Sequence, residues 1–405
     1  MITDYNKTFE EIMRLGLFKW EEEESLLHKE RFKKIIEYLD EKDRSKISSP
    51  SYSSLIMLNS KGFKELIGNC SRSTWFKKNG AVETNPNDEV SLFRMKIGKK
   101  VEEIEQDYAV KAMEKINEDE EQDVEIRIFK NIMIGYHIQS IDMFIVGEID
   151  ILMIIDNVPV PIEIKSYYGY KAKKEIEGSA YELGSPKKNH AMQAFLYAYA
   201  FTPDNINTIH MWDSKGDPID TESLNMEPNN IAIMRYIDRG DCNKTQFEMS
   251  LTPIIKAEDG SIKRSLFEEL LEASMSNKND IENDYEFVVN GDRFLEPASI
   301  KNLLNRHKKT LKYSNNPEIL PPRDSTYQYD IERQKYMRNS NKLNKKQCSE
   351  FDSKGTTVVG DWQCRYCNWK DLCLGKTPWE KDTIPSDEEI LITIEEIKNN
   401  EASDE

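Results

Sequence analysis

The stretch Gly147 to Lys165, GEIDILMIIDNVPVPIEIK, constrains the chain most: two apolar runs flank Asp156-Asn157, and acidic residues and a lysine are confined to one alternation. Ile-, Leu- and Val-rich runs around Asp-Asn read as two antiparallel strands joined by a two-residue turn. With the turn centred there, Ile155 pairs with Val158, and stepping outward brings Asp150 opposite Glu163. Residues flanking such a turn form a hydrogen-bonded pair, so 154:159, 152:161 and 150:163 fall on non-hydrogen-bonded positions. That register tolerates Pro159 and Pro161, because no donor is asked of either.

At a non-hydrogen-bonded pair the Cβ atoms sit roughly 4.5–5.5 Å apart, and two bare carboxylates would repel. A cation between them removes the repulsion. Side chains alternate along a strand, so Lys165 shares the Glu163 face while Ile162 and Ile164 point away. All-oxygen donors suit Mg²⁺ or Mn²⁺ rather than zinc. Such a metal can polarise a phosphodiester and lower the pKa of a bound water, which Lys165 would position or deprotonate. A solvated hairpin face with ordinary charges is the plainer alternative, and the D…ExK spacing alone does not separate the two.

The 405 residues allow two or three domains, and 38% apolar against 32% charged is a polar balance for that length. A net charge of −17 excludes a surface coated in lysine and arginine for non-specific duplex binding, so any nucleic-acid site is a local channel. The sequence lacks a long apolar run and a signal-peptide layout, so a soluble, cytoplasmic protein with no membrane partner is expected. Six cysteines then call for a role other than disulfides.

Residues 1 to about 45 are charged and helical in pattern, with Phe32, Ile35, Ile36 and Leu39 as apolar positions, and Ser49-Pro50 reads as a loop or helix entry. From Leu92 to about Glu118 the spacing predicts an amphipathic helix with Ile97, Val101, Ile104 and Tyr108 on one stripe. Gly98 in that helix would let another element approach closely, and Glu102 flanks the stripe. Strands are expected within 124–146, 231–239 and 245–251, with a helix over 187–201 that places Gln193 and Tyr197 on one face. The order describes a mixed α/β core with its site on one sheet edge. After Lys165 come Tyr167, Tyr168 and Tyr170, followed by Lys171, Lys173 and Lys174.

Residues 256–345 read as mostly helical, with two basic patches interleaved with tyrosines, a pattern that suits either a single-strand channel or a solvated face. Cys364, Cys367 and Cys373 lie close enough to hold a metal, and a local zinc site would recruit Cys348 as its fourth ligand, whereas Cys70 taken alone reads as a buried small hydrophobe. Past Pro378 the chain is acidic, and Ser386 with Glu389 has capping-box spacing.

Asp150 with Glu163-Ile164-Lys165, and Gln193 through Tyr197, resemble the D…ExK and QxxxY motifs of the PD-(D/E)XK nuclease superfamily, in its RecB-like branch with an iron-sulfur cluster. That branch includes AddB-type nucleases and small CRISPR-associated exonucleases. The resemblance covers roughly residues 50 to 251 and 360 to 375. It implies a restriction-endonuclease-like mixed sheet flanked by helices, with Asp150, Glu163, Lys165, Gln193 and Tyr197 as the catalytic set. Glu102 stands where the family often has a metal-binding histidine, and Glu103 competes for the place. The resemblance further implies a [4Fe-4S] cluster on Cys70, Cys364, Cys367 and Cys373, and metal-dependent cleavage of single strands or DNA ends. Recombination or replication proteins are then expected partners. A CRISPR-adaptation trimming nuclease and a non-enzymatic zinc-ribbon DNA-binding protein are the alternatives. The expected organisation is a helical extension over 1–47, a nuclease core over 48–255 and a charged, mainly helical insertion over 256–358. A cysteine-rich segment over 359–379 and an acidic tail over 380–405 complete it.

Overall fold

The computed structural model describes residues 5–39, 41–58, 61–118, 124–179, 181–256, 262–264, 284–375 and 384–404. In chain order these form α1 (Tyr5–Tyr38), α2 (Glu41–Arg44), β1 (Ile47–Ser48), β2 (Ser54–Leu58), β3 (Lys64–Gly68), α3 (Ser71–Lys78) and α4 (Glu89–Asn117). Then come β4 (Ile126–Ile138), β5 (Met143–Ile155), β6 (Val158–Tyr167), α5 (Tyr170–Glu177), β7 (Gly178–Ser179), β8 (Glu182–Leu183) and α6 (Lys188–Ala200). The strands β9 (His210–Trp212), β10 (Pro218–Ile219), β11 (Ile231–Asp238), β12 (Lys244–Lys256), β13 (Ile262–Arg264), β14 (Asp284–Val289) and β15 (Asp292–Ser299) precede a run of helices that begins at Ile300–Ser314.

The chain divides into two compact units, residues 1–53 with 88–305, and residues 54–87 with 306–405. The first is a mixed sheet in the order β10-β9-β4-β5-β6-β11-β12-β14-β15, with β1 on β5 and β13 on β12. Asp156 and Asn157 both take positive φ, 47° and 70°, as a two-residue hairpin turn with right-handed strand twist requires. Pro159 and Pro161 sit where β6 has no second neighbour, since its parallel pairing with β11 begins only at Ile162. Helix α4 packs on β4, β5 and β6, where Val101 and Ala109 meet Ile151, Ile164 and Ile237. Helix α6, with nine buried side chains, packs on β6, β11 and β12.

Several expectations need correcting. The stripe Ile97, Ile104 and Tyr108 is exposed, at 37%, 51% and 58%, while α4 buries Leu92, Glu105 and Gln106. Polar residues can face the sheet because it supplies partners: Glu105 pairs with Arg235 at 2.8 Å and Lys244 at 2.6 Å. Residues 1–47 are not a separate extension. Ile35 is fully buried against Met133, Val146 and Trp212, and β1 adds a parallel rung to β5. Within 256–358, residues 284–299 form a hairpin that extends the sheet, where the alternation of Tyr285, Phe287 and Val289 buries one face, and among the described residues the helices begin only at Ile300.

In the second unit, Trp75, Phe76, Trp369 and Leu372 share a core with Ile390 and Ile394. The acidic C-terminal segment is therefore a docked helix, Asp387–Asp404, rather than a mobile tail, started by a capping box in which the Ser386 N–H donates to Glu389 at 2.6 Å. Three arginines of the basic patches are engaged internally, while Lys308, Lys309, Lys312, Lys345 and Lys346 are exposed. Arg306 pairs with Asp324, Arg338 with Asp352, and Arg333 lies 3.6 Å from the Tyr329 ring centroid. Among the described residues no helix is long and apolar enough to cross a membrane.

Candidate active site and cysteine cluster

The strands carrying the site lie in mid-sheet, not at its edge, because β11 follows β6 on the side away from β5. The β5–β6 ladder runs in the expected register from Ile155↔Val158 to Ile151↔Ile162 and stops there. The next bond would take the Ile164 N–H to the Ile149 carbonyl. That N–H donates instead to Asp150 Oδ2 at 2.6 Å. Asp150 and Glu163 are thus one step past the last rung, and the expected direct 150:163 pair is replaced by a side-chain bond that fixes the Asp150 carboxylate.

Glu163 is 2% exposed. Its Oε1 accepts from Lys165 Nζ, while its Oε2 is buried with no hydrogen-bond partner. Burial and then the neighbouring Asp150 push the Glu163 carboxyl up to about 8. Burial likewise raises Asp150, against the pull of Lys165 and of the Ile164 N–H. Glu102 belongs to the same cluster: burial, then Asp150, push it up to about 7. Glu103 instead is exposed and pairs with Lys100 at 2.6 Å. Gly98, one turn earlier, permits the approach of α4, since a Cβ there would meet Ser166 Oγ at 3.2 Å.

Three carboxylates that repel one another, one with a buried oxygen left unpartnered, are oxygen donors of the kind a divalent cation takes, although their oxygens do not all lie within 4.8 Å of one another. Lys165 is unsuited to deprotonate water. Burial opposes its charge, but Glu163, Asp150 and Glu102 outweigh that and drive its pKa up, so it is an ammonium that donates and attracts.

Helix α6 braces this arrangement. Gln193 Nε2 donates to the Tyr197 hydroxyl at 3.1 Å, and that hydroxyl donates to the Glu148 carbonyl at 2.5 Å. Tyr197 is 2% exposed, and its hydroxyl is spent on the β5 backbone. Sequence reasoning missed Glu148 and Arg31, whose side chains pair at 2.9 Å beside the cluster. Glu148 was legible as the residue two before Asp150 on the same face; Arg31, from α1, carried no such signal. Gln106 was also missed, and its Nε2 donates to the Asp150 carbonyl at 3.0 Å.

In the second unit Cys70, Cys364, Cys367 and Cys373 converge. Burial first, then the neighbouring Cys70 and Cys373, raise the Cys364 thiol, and burial pushes Cys367 up to about 11. Cys367 and Cys373 pack against the Trp75–Trp369 core, whereas Cys348 lies in a different cluster with Leu343 and Val359. Cys242 is exposed in the first unit. Among the described residues the one set of three or more ligand atoms all within 4.8 Å of one another is Glu177, Asp238 and Asp241, so the four sulfurs are spaced more widely than that.

No protein-family model and no curated protein matches the chain. A crystal structure of SSO0001 is similar at 12% identity over 64% of this chain and 88% of that one, with a TM-score of 0.26, too low to carry an argument.

Proposed function

We propose that the chain is a divalent-metal-dependent deoxyribonuclease of the PD-(D/E)XK type, acting on single strands or DNA ends in recombination, replication or repair. The observation that carries the reading is the buried, unpartnered Glu163 Oε2 between Lys165 and two further carboxylates. Leaving a buried carboxylate oxygen bare costs more than a typical hydrogen bond returns, so a site of this kind is kept where a ligand completes it. Glu102, Asp150 and Glu163 would hold Mg²⁺ or Mn²⁺. When bound, that ion supplies charge to a phosphodiester and a more acidic water. Lys165, held by Glu163, offers an ammonium to the phosphoryl oxygen or to the attacking water. Asp150 keeps its orientation through the Ile164 N–H, and Tyr197 fixes the strand that presents it.

A mixed sheet with the aspartate on β5, the ExK on β6 and the Gln/Tyr helix packed on β6 supports a restriction-endonuclease-like core. The four converging cysteines support a [4Fe-4S] cluster over a zinc ribbon. Zinc at about 2.3 Å from each sulfur would set all four roughly 3.8 Å apart, whereas no three of them lie mutually within 4.8 Å, and a zinc ribbon would recruit Cys348. End-labelled single- and double-stranded DNA incubated with the purified protein, with and without Mn²⁺, tests the activity: metal-dependent shortening is expected. Intact DNA under every metal, with the protein folded, would overturn the reading.

A further inference from the structure

We infer that residues 168–184, the excursion between the ExK strand and α6, form a stacking platform for unpaired nucleotides, so that nucleic acid is engaged as a single strand. The inference rests on the nuclease reading and deepens it by naming the strand state of the substrate. Tyr168, Tyr170 and Tyr181 are 70%, 84% and 96% exposed, and Leu183 is 93% exposed. Among the described residues none of these three rings stacks on another. Three tyrosines this exposed within fourteen residues leave their ring faces open to a flat partner.

The backbone beneath them is held firmly. Ile176 of α5 is fully buried, Tyr167 donates to Glu177, and the Ser185 N–H donates to the Glu175 carbonyl at 2.9 Å. At Gly184 the chain passes so close that a Cβ would stand 1.9 Å from the Ile176 carbonyl oxygen. Rings displayed on a fixed backbone lose little entropy when a flat partner lands on them.

Position points to the same partner. The excursion begins three residues after Lys165 and ends at the start of α6, whose His190 lies close enough to Lys165 to feel its charge. Residues 168–184 carry three lysines and three glutamates, and Lys187 and Lys188 follow at the start of α6. Lys171 is exposed, and Lys174, also exposed, lies 4.0 Å from Glu182. Cations interleaved with rings suit a phosphate backbone whose bases stack on the aromatics, and only unpaired bases have free faces to offer.

The test is fluorescence anisotropy of the full-length chain with a labelled oligo-dT and with a blunt hairpin duplex, in Ca²⁺ or EDTA so that binding is read without cleavage. The triple variant Tyr168→Ala, Tyr170→Ala, Tyr181→Ala should bind oligo-dT at least about tenfold more weakly, since one stacked base is worth roughly that factor or more. Hairpin affinity and thermal melting should not move, and the corresponding triple Phe variant should bind oligo-dT as wild type does. Equal oligo-dT affinity of the Ala variant and wild type would overturn the platform. So would a Phe variant as weak as the Ala variant, or a wild type that binds only the hairpin. Cleavage is scored separately: tyrosine-dependent binding without metal-dependent cleavage keeps the platform and rejects the nuclease, and cleavage with tyrosine-independent binding does the reverse.

Discussion

The Ile164 backbone N–H donates to Asp150 Oδ2 at 2.6 Å, and that bond ends the β5–β6 ladder one residue short of Glu163. The donor that would have extended the sheet is spent on aiming a carboxylate. Strand geometry and site geometry are thus joined at one amide, and the carboxylates of the site gain room that a continued ladder would not leave them.

The first prediction follows from that joint. Asp150→Ala and Glu163→Ala should lose both Mn²⁺ binding, read by calorimetry, and cleavage. Lys165→Ala should retain Mn²⁺ binding while cleavage falls by about a hundredfold or more, because the carboxylates stay and the ammonium that orients the reaction goes. Near wild-type cleavage by Lys165→Ala would remove it from the mechanism.

A second prediction separates the two members of the α6 motif. Tyr197→Phe deletes the bond to the Glu148 carbonyl in a buried setting and should cost about 1 kcal/mol of stability. It should also weaken Mn²⁺ binding, since β5 carries Asp150. Gln193→Ala leaves that bond in place, so its stability and metal affinity should hold while turnover drops. Identical metal affinity in Tyr197→Phe and wild type would show that the strand needs no brace.

The hairpin was legible because a two-residue Asp-Asn turn and period-two alternation leave a single register, and the Glu163/Lys165 face followed from it. Where the ladder ends was not legible, because it depends on a side chain capturing an amide, and alternation carries no trace of that. The stripe on α4 misled for a physical reason. Periodicity finds an apolar face, but the face that packs on the sheet carries Glu105 and Gln106, whose partners Arg235, Lys244 and Asn131 are distant in sequence. Likewise Glu102 could be named only as a neighbour of Glu103 until the position of α4 placed one inside and the other out.

A third prediction concerns acid. Tyr236 accepts from the Lys187 N–H and lies 3.0 Å from His190 Nδ1, so its own proton goes to a bare Nδ1. Burial, then Lys165 and Lys187, push His190 down to about 3. The unfolded chain takes up that proton near its ordinary value of about 6.5, so the stability is complete above that pH. It is lost as pH falls toward the folded value, at up to about 1.4 kcal/mol per pH unit. His190→Asn keeps an acceptor for Tyr236 without a titrating group, so its stability between pH 6.5 and 5 should fall less steeply than that of wild type. Parallel curves in urea unfolding would reject the assignment.

The last prediction concerns Cys70, the N-cap of α3, which stands with Cys364, Cys367 and Cys373 although almost three hundred residues separate it from them. Both parts of the chain that meet there, residues 54–87 and 306–405, belong to the second unit. A group ligated across so long a loop limits the unfolded ensemble strongly and makes binding part of folding. Its proposed role is therefore structural, and its loss should fall on the second unit first. Anaerobically purified protein should be brown and carry about four irons per chain. Cys70→Ser should be pale and should expose the second unit to limited proteolysis, while the sheet of the first unit resists. Cys348→Ser should be brown and stable, because that thiol packs with Leu343 and Val359, apart from the other four. Colourless protein with one zinc per chain, unharmed by Cys70→Ser and damaged by Cys348→Ser, would establish a local zinc ribbon in place of the cluster.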